Sequence, residues 1–343
     1  MRVAILGPTY TKDYFGGVAT FDENLAIAFH RLNDGNEVVL FSKQVTAQSN
    51  NSYGITVRPI SLLSASKEKP FDLAIVSLDY AIYLPFIKAY KKVYFLHGFF
   101  SLSAYSPLKT ILAVAYQKFF LKYADAVIGN SKFTCFINRE IYRINCDGSV
   151  RLGVSYDYLK QLHKNKEISR TPKSILFTGR LIEAKKINHI IQAMKVLKEM
   201  SDSPYLLRIV GDGDLKPWLV EYAKKNDLNV EFHDRVSQSE IVKYYQESQI
   251  FISLNPTEPF GITFCEALLA GCQIVCPDTG GQVEFLSEYP HMVRMIPDLQ
   301  PETIAAAIVK LSSETSHGQV NVDDFSYENT ARAILEIVGE PKQ

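Results

Sequence analysis

The 343-residue sequence predicts an α/β protein made of two doubly wound, parallel-sheet domains. Three features point to it. Short apolar runs alternate with helix-like segments, which implies parallel strands joined by helical crossovers. A polar stretch at 156–173, including Lys160-Gln161-Leu162-His163-Lys164-Asn165-Lys166-Glu167, interrupts that rhythm before it resumes. The length suits two domains, each able to bury its own core.

In the first half, strands are expected at 2–6, 37–41, 55–60, 72–77, 92–97, 126–129 and 149–152, with helices at 18–32, 79–90, 107–123 and 132–144. In the second, strands are expected at 174–178, 205–210, 229–233, 249–254, 273–276 and 292–296, with helices between them. The domains are therefore set at 1–160 and 172–322, with the polar stretch as linker. A final helix near 327–338 follows an acidic connection in a closing segment, 323–343.

Hydrophobic residues make up 47% and charged residues 22%, the profile of a globular chain and not of a disordered one. No apolar run reaches the length of a membrane span, and no signal peptide is expected. Five cysteines without C-x-x-C spacing read as free thiols in a reducing cytoplasm. Cys272 and Cys276 enclose the start of a strand, which argues against a metal site there.

A net charge of zero hides an asymmetry: residues 1–170 carry 21 Lys and Arg against 13 Asp and Glu, and the remainder carries 16 against 24. The stretch 80–124 holds six lysines (Lys88, Lys91, Lys92, Lys109, Lys118, Lys122) and no acid. It reads either as a surface that rests on anionic lipid or as a core-forming segment whose lysines reach water. Neutral pI and the lack of a nucleic-acid motif argue against nucleic acid.

Ligands of open parallel sheets bind beyond the carboxyl ends of the strands, so residues just after strands carry the chemistry. Glu258 and Glu266 stand eight apart, flanking a Pro259-Phe260-Gly261 turn and a helix starting at Ile262 and Thr263 and ending at Gly271. Glu266 falls among Phe264, Cys265, Ala267 and Leu268, where a carboxylate needs partners such as sugar or ribose hydroxyls. The free amides that open that helix would receive a phosphate. After the strand 174–178, Gly179 turns the chain and Arg180 and Lys185 follow, a forked donor and a mobile point charge suited to phosphate oxygens or to a structural salt bridge. Gly16-Gly17 would let a phosphate approach the backbone, or simply make a loop. Gly211-Asp212-Gly213-Asp214 reads as a tight turn or as a D-x-D metal pair, and the turn is preferred because the site ends a strand. His97 is either a structural histidine or a substrate contact.

Glu258-Pro259-Phe260-Gly261, followed by Glu266-Ala267 and Gly271, resembles the E-x7-E signature of retaining GT-B glycosyltransferases, in particular glycosyltransferase family 4. Gly179-Arg180-Leu181 with Lys185 is similar to the G-R-L-x-x-x-K-G motif, with Lys186 where glycine is common. Gly211 to Gly213 looks like the V-G-x-G turn, His233-Asp234-Arg235-Val236 like the base-contacting stretch, and His97-Gly98 like the His-Gly beside the donor sugar. Arg151-Leu152-Gly153-Val154-Ser155 departs from the usual P-N-G-V-D. The resemblance is strongest over 174–286.

It implies two Rossmann-like domains facing a cleft. Donor contacts would come from Gly16, Gly17, Gly179, Arg180, Lys185, Gly211, Asp212, Arg235, Val236, Glu258, Phe260, Gly261, Ile262, Thr263 and Glu266. Acceptor contacts would come from Asp13, Tyr14, Phe15 and His97, and catalysis from His97, Glu258, Arg180 and Lys185. It further implies a nucleotide-diphosphate sugar and no metal or cofactor; UDP is the first expectation for the nucleotide, and a glycan or lipid-linked acceptor in surface polysaccharide or glycoconjugate synthesis for the acceptor. The free thiols place the protein in the cytoplasm, and on the lipid reading the basic 80–124 stretch would rest on the inner face of the cell membrane. Two rivals are a non-catalytic nucleotide-sugar-binding partner, against which the complete Arg, Lys, Glu, Glu and His set argues, and a sugar-nucleotide epimerase.

Overall fold

A computed structural model describes residues 1–9, 16–33, 35–100, 106–164, 169–201, 203–314 and 320–339, with backbone alone at position 238. The chain divides into two compact units, residues 1–155 with 323–343, and residues 156–322.

Among the described residues, the first unit holds an eight-stranded sheet. Its strands are β1 (Arg2–Leu6), β2 (Glu37–Ser42), β3 (Ser49–Asn50), β4 (Thr56–Pro59), β5 (Phe71–Ser77), β6 (Ala89–Leu96), β7 (Ala126–Gly129) and β8 (Gly148–Ser149). They lie in the order β3-β4-β2-β1-β5-β6-β7-β8, all parallel except the short β3–β4 pair. The chain winds outward from β1 through β2 and β4, then crosses β1 to lay down β5. The order reverses between β1 and β5, where Ala4 pairs with Ala74 and Leu6 with Val76. Continuous apolar runs make these strands because both faces are covered: β1 is fully buried from Val3 to Leu6.

The C-terminal helix Tyr327–Val338 packs on helix Gly17–Leu32 of the same unit. Gly153 secures its start. A side chain there would meet the Tyr327 backbone nitrogen at 2.4 Å, while Gly153 N–H donates to Thr330 Oγ1 at 3.1 Å and Thr330 Oγ1 donates to the Arg151 carbonyl at 2.8 Å. The glycine that survives in the divergent 151–155 run is thus the one that packing demands.

The second unit holds a wholly parallel six-stranded sheet among the described residues. Its strands β9 (Thr171–Thr178), β10 (Leu206–Val210), β11 (Val230–His233), β12 (Ser248–Ile252), β13 (Gln273–Pro277) and β14 (Val293–Ile296) lie in the order β11-β10-β9-β12-β13-β14. Here the order reverses between β9 and β12. Ile175, Phe177, Ile250 and Ile252 from those strands join Ile187, Ile191 and Met194 of helix Ile187–Met200 in one buried cluster.

Three expectations are corrected. The helix expected at 79–90 is a 3-10 turn, Leu78–Tyr83, because Pro85 removes an N–H and Ala89 already opens β6. The strand expected at 149–152 is reduced to Gly148–Ser149. The linker at 156–173 is largely structured: Tyr156–Lys164 is a helix packed on helix Gln238–Glu247, and β9 starts at Thr171. Fully buried Tyr158 anchors that helix, so the boundary between units falls at 155/156 and not at 160.

Candidate active site

The carboxyl end of β9 is built on backbone contact. Gly179 follows it at φ +146°, and a side chain on Gly211, at φ +152° after β10, would meet the Gly179 carbonyl oxygen at 1.9 Å. Leu181 N–H donates to the Asp212 carbonyl at 2.8 Å and Gly179 N–H to the Val210 carbonyl at 3.1 Å. Gly211 and Asp212 therefore act through backbone, while the Asp212 side chain is exposed. The result is a rigid platform from which Arg180 extends, exposed and with no hydrogen-bond or ion-pair partner among the described residues.

Five residues on, Lys185 Nζ lies 2.6 Å from Glu258 Oε2, with both side chains largely withdrawn from water. Asn255 Nδ2 donates to the same oxygen at 2.9 Å, and Gly281 N–H donates to the Glu258 carbonyl at 2.8 Å. The two motifs thus meet through an ion pair. Lys186, where glycine was expected, adopts the left-handed conformation at φ 54°, ψ 29° and starts helix Ile187–Met200. A β-carbon in that region costs about 1 kcal/mol, which is the physical reason glycine suits the position.

Phe260 is buried against Phe285, ring centres 5.2 Å apart, and Gly261 turns the chain at φ 90° where a side chain would strike the Phe264 ring at 2.6 Å. Helix Ile262–Leu269 then starts without a side-chain cap, leaving its first amides, at Ile262 and Thr263, free of intrahelical acceptors.

Glu266, one turn further, is buried and forms no ion pair among the described residues. Tyr245 hydroxyl donates to Oε2 at 3.0 Å, and Thr178 Oγ1 lies 2.9 Å from that hydroxyl. A phenol has one proton, so Thr178 must be the donor to Tyr245. Tyr158 hydroxyl donates to the Glu266 carbonyl at 2.6 Å. Burial pushes the Glu266 pKa up to about 7, and the Tyr245 hydrogen bond holds it from rising further. Tyr245, Thr178 and Tyr158 escape sequence reasoning because no motif marks them; their partners lie 21 to 108 positions away.

His233 Nδ1 lies 3.2 Å from Tyr244 hydroxyl, and Asp234 pairs with Lys216. Val236 lines a cavity of about 580 Å³ together with Arg208, Glu231, His233 and Tyr244. Arg180, Lys185, Glu258 and Glu266 do not line it, and the Arg235 side chain is exposed.

In the first unit, Gly16 caps helix Gly17–Leu32 in extended conformation, and a side chain on Gly17 would meet nothing within 4 Å. His97 follows β6. Its Nε2 lies 2.9 Å from Ser77 Oγ, which lies 2.8 Å from Asp22 Oδ1. Phe21 and Phe95 flank the ring at 4.7 and 4.9 Å, and burial pulls its pKa down to about 3. Asn130 Nδ2 donates to the His97 carbonyl at 2.9 Å. Asp13, Tyr14 and Phe15 lie outside the described residues.

Residues 160–322 match the family model for glycosyl transferases group 1. That stretch, just under half of the chain, is what resembles the family. The chain is 26% identical over 175 residues to an uncharacterized glycosyltransferase of Methanocaldococcus jannaschii, covering 48% of this chain and 44% of that protein. It is 24% identical over 307 residues to an uncharacterized protein in the cps region of Klebsiella pneumoniae, covering 80% and 81%. Sucrose-phosphate synthase from Thermosynechococcus elongatus superposes with a TM-score of 0.71 at 14% identity over 98% of this chain and 94% of that one. Anabaena HepE in complex with UDP and glucose gives 0.64 at 16% over 98% and 95%. These likenesses show the GT-B fold.

A glutamate whose folded pKa exceeds its unfolded value binds more protons folded than unfolded, so stability falls as pH rises between the two values. For Glu266 that window runs from 4.5 to about 7. Glu266→Gln removes the loss, so the variant is expected to gain on the wild type across this window by up to about 3 kcal/mol. Urea unfolding of both proteins at pH 5 and pH 8 measures it; a difference that does not change with pH contradicts the buried-carboxylate reading.

Proposed function

We propose that the protein is a retaining glycosyltransferase that moves a hexosyl or N-acetylhexosaminyl group from a UDP-sugar to a glycan or lipid-linked acceptor in surface polysaccharide or glycoconjugate synthesis. The observation that carries the proposal is the meeting of Lys185 with Glu258 at 2.6 Å, together with an exposed Arg180 that has no partner among the described residues and an uncapped helix start. Without ligand, the lysine and the glutamate neutralise each other. A diphosphate would compete for Lys185 and Arg180, freeing Glu258 and Asn255 to receive sugar hydroxyls. Two cations and the amides at Ile262 and Thr263 supply preorganised donors for the charge that develops on the leaving diphosphate, so the reading assigns no metal or cofactor. Glu266 takes the ribose hydroxyls. UDP is favoured because HepE, a neighbour of the same fold, is described with UDP and glucose.

In the retaining course, the bond from the anomeric carbon to the phosphate oxygen breaks and the acceptor oxygen bonds from the same face. The acceptor proton passes to the departing phosphate oxygen. No nitrogen or carboxylate of the protein need become covalently attached.

The protein is further proposed to work at the inner face of the cell membrane. Helix Pro107–Leu121 is turned inside out: Thr110 and Gln117 are its buried residues, while Leu108, Ile111, Leu112 and Phe119 are all more than half exposed. Lys109, Lys118 and Lys122 share the segment, and acids are absent from 80–124. An apolar stripe edged by lysines suits an anionic lipid interface, each lysine contributing about 1 kcal/mol. No helix among the described residues is long and apolar enough to cross a membrane.

Arg180→Ala with Lys185→Ala should abolish transfer and the thermal stabilisation by UDP-sugars, which in the wild type grows with ligand concentration, while the unliganded fold persists. Transfer by the double variant at the wild-type rate would sink the diphosphate assignment; product analysis of wild type without acceptor separates transfer and hydrolysis from epimerisation. For the membrane, vesicles containing phosphatidylglycerol should sediment the wild type at low salt and release the Leu108→Asp, Ile111→Asp variant. Equal sedimentation of the two proteins, or none of the wild type, removes the lipid-facing role.

A further inference from the structure

The carboxyl edge of the first sheet contains an acid that the proposed transfer does not use. Asp22, in helix Gly17–Leu32, is fully buried. Its Oδ1 lies 2.8 Å from Ser77 Oγ, and its Oδ2 has no hydrogen-bond partner among the described residues. Space has been cleared for it: a β-carbon on Gly7 would sit 1.9 Å from Oδ2. Ser77 continues the line to His97 Nε2 at 2.9 Å. Gly7, Ser77 and His97 stand at the carboxyl ends of the adjacent strands β1, β5 and β6. Between β1 and β5 the strand order reverses, the place where open α/β sheets receive ligands.

Three proton arrangements fit these distances. An aspartate paired with an imidazolium places two charges in an apolar, aromatic pocket, and burial disfavours both, holding the Asp22 pKa well above the usual carboxylate range and the His97 pKa well below the histidine range. An aspartate facing a neutral histidine leaves one net negative charge with no cation and one oxygen unmatched. In the third arrangement a neutral Asp22 carboxyl donates to Ser77, Ser77 donates to Nε2, and the ring carries its proton on Nδ1. Only that one is free of net charge while each hydroxyl donates once. The orphaned Oδ2 is then the less demanding carbonyl oxygen.

Taking His97 as a substrate contact rests on the glycosyltransferase reading above. We propose that Asp22 and Ser77 are positioning residues that lock His97 in the Nδ1–H tautomer, so that the ring offers an N–H donor to a substrate oxygen at the carboxyl edge of the first sheet. The tautomer of a histidine is set by the hydrogen bond its other nitrogen makes. Nδ1 has no partner among the described residues, and the carbonyl bond from Asn130 together with the flanking rings of Phe21 and Phe95 holds the imidazole in place.

The test is the imidazole nitrogen spectrum of the full-length, nitrogen-15-labelled protein at neutral pH, with kinetics on the same variants. His97 should appear with Nδ1 protonated and Nε2 bare; the opposite tautomer overturns the proposal. Asp22→Asn, whose amide also donates to Ser77, should keep the wild-type tautomer. An inverted tautomer in that variant would mean that Asp22 is an ionised acceptor, and the proposal fails. Ser77→Ala should lose the single tautomer and lower kcat by about tenfold or more with donor KM little changed, and Ser77→Thr should restore both; a wild-type spectrum in Ser77→Ala also overturns the lock. If the predicted tautomer is present but the wild type transfers no sugar from any nucleotide donor, the lock stands and the activity reading is what has failed.

Discussion

A buried carboxylate with no ion-pair partner among the described residues is the constraint around which the second unit is organised. Glu266 sits on a short helix among apolar residues, and its carboxylate is reached by a phenol donated from Tyr245. Satisfying it ties four elements together: the end of β9 through Thr178, helix Gln238–Glu247 through Tyr245, helix Tyr156–Lys164 through Tyr158, and helix Ile262–Leu269 itself. Such a group is costly unless it is paired or hydrogen-bonded, because an unpaired buried charge is among the largest penalties a fold carries. Under the proposed function, the carboxylate is kept half-satisfied so that ribose hydroxyls complete it.

The same logic of incomplete pairing runs through the neighbouring residues. Lys185 and Glu258 satisfy each other, Arg180 is left exposed on a glycine platform, and the helix beginning at Ile262 lacks a cap. A diphosphate is the ligand chemistry that resolves all three at once, since it supplies negative charge to the lysine, the arginine and the amides. The glycines at 179, 211 and 261 serve this arrangement through backbone geometry, each holding a left-handed or closely packed conformation that a side chain would break.

Much of this was legible in the sequence, and the reason is locality. Fully buried parallel strands show as continuous apolar runs, so most strands of both sheets were found within a few residues, and the glycine turns and the spacing of Arg180, Lys185, Glu258 and Glu266 mark local geometry. What failed to show was non-local. Tyr158 lies in a polar stretch that reads as linker until its hydroxyl is seen reaching Glu266, 108 positions away. No motif marks Asp22, which Gly7 and Ser77 enclose from other elements. The region 79–90 has helical pattern but carries Pro85 and must leave room for β6. Lys186 stands where the resemblance implies glycine, and its positive φ is why glycine suits that position.

If Glu266 waits, part-protonated, for ribose hydroxyls, then donor binding must move protons. Titration calorimetry with UDP-glucose at pH 7, repeated in buffers of different ionisation enthalpy, counts the protons exchanged on binding. With a pKa near 7, hydroxyl donors that stabilise the charged carboxylate should release about half a proton per site, and Glu266→Gln should release that much less. Proton uptake, or identical proton counts in the two proteins, would contradict that role for Glu266.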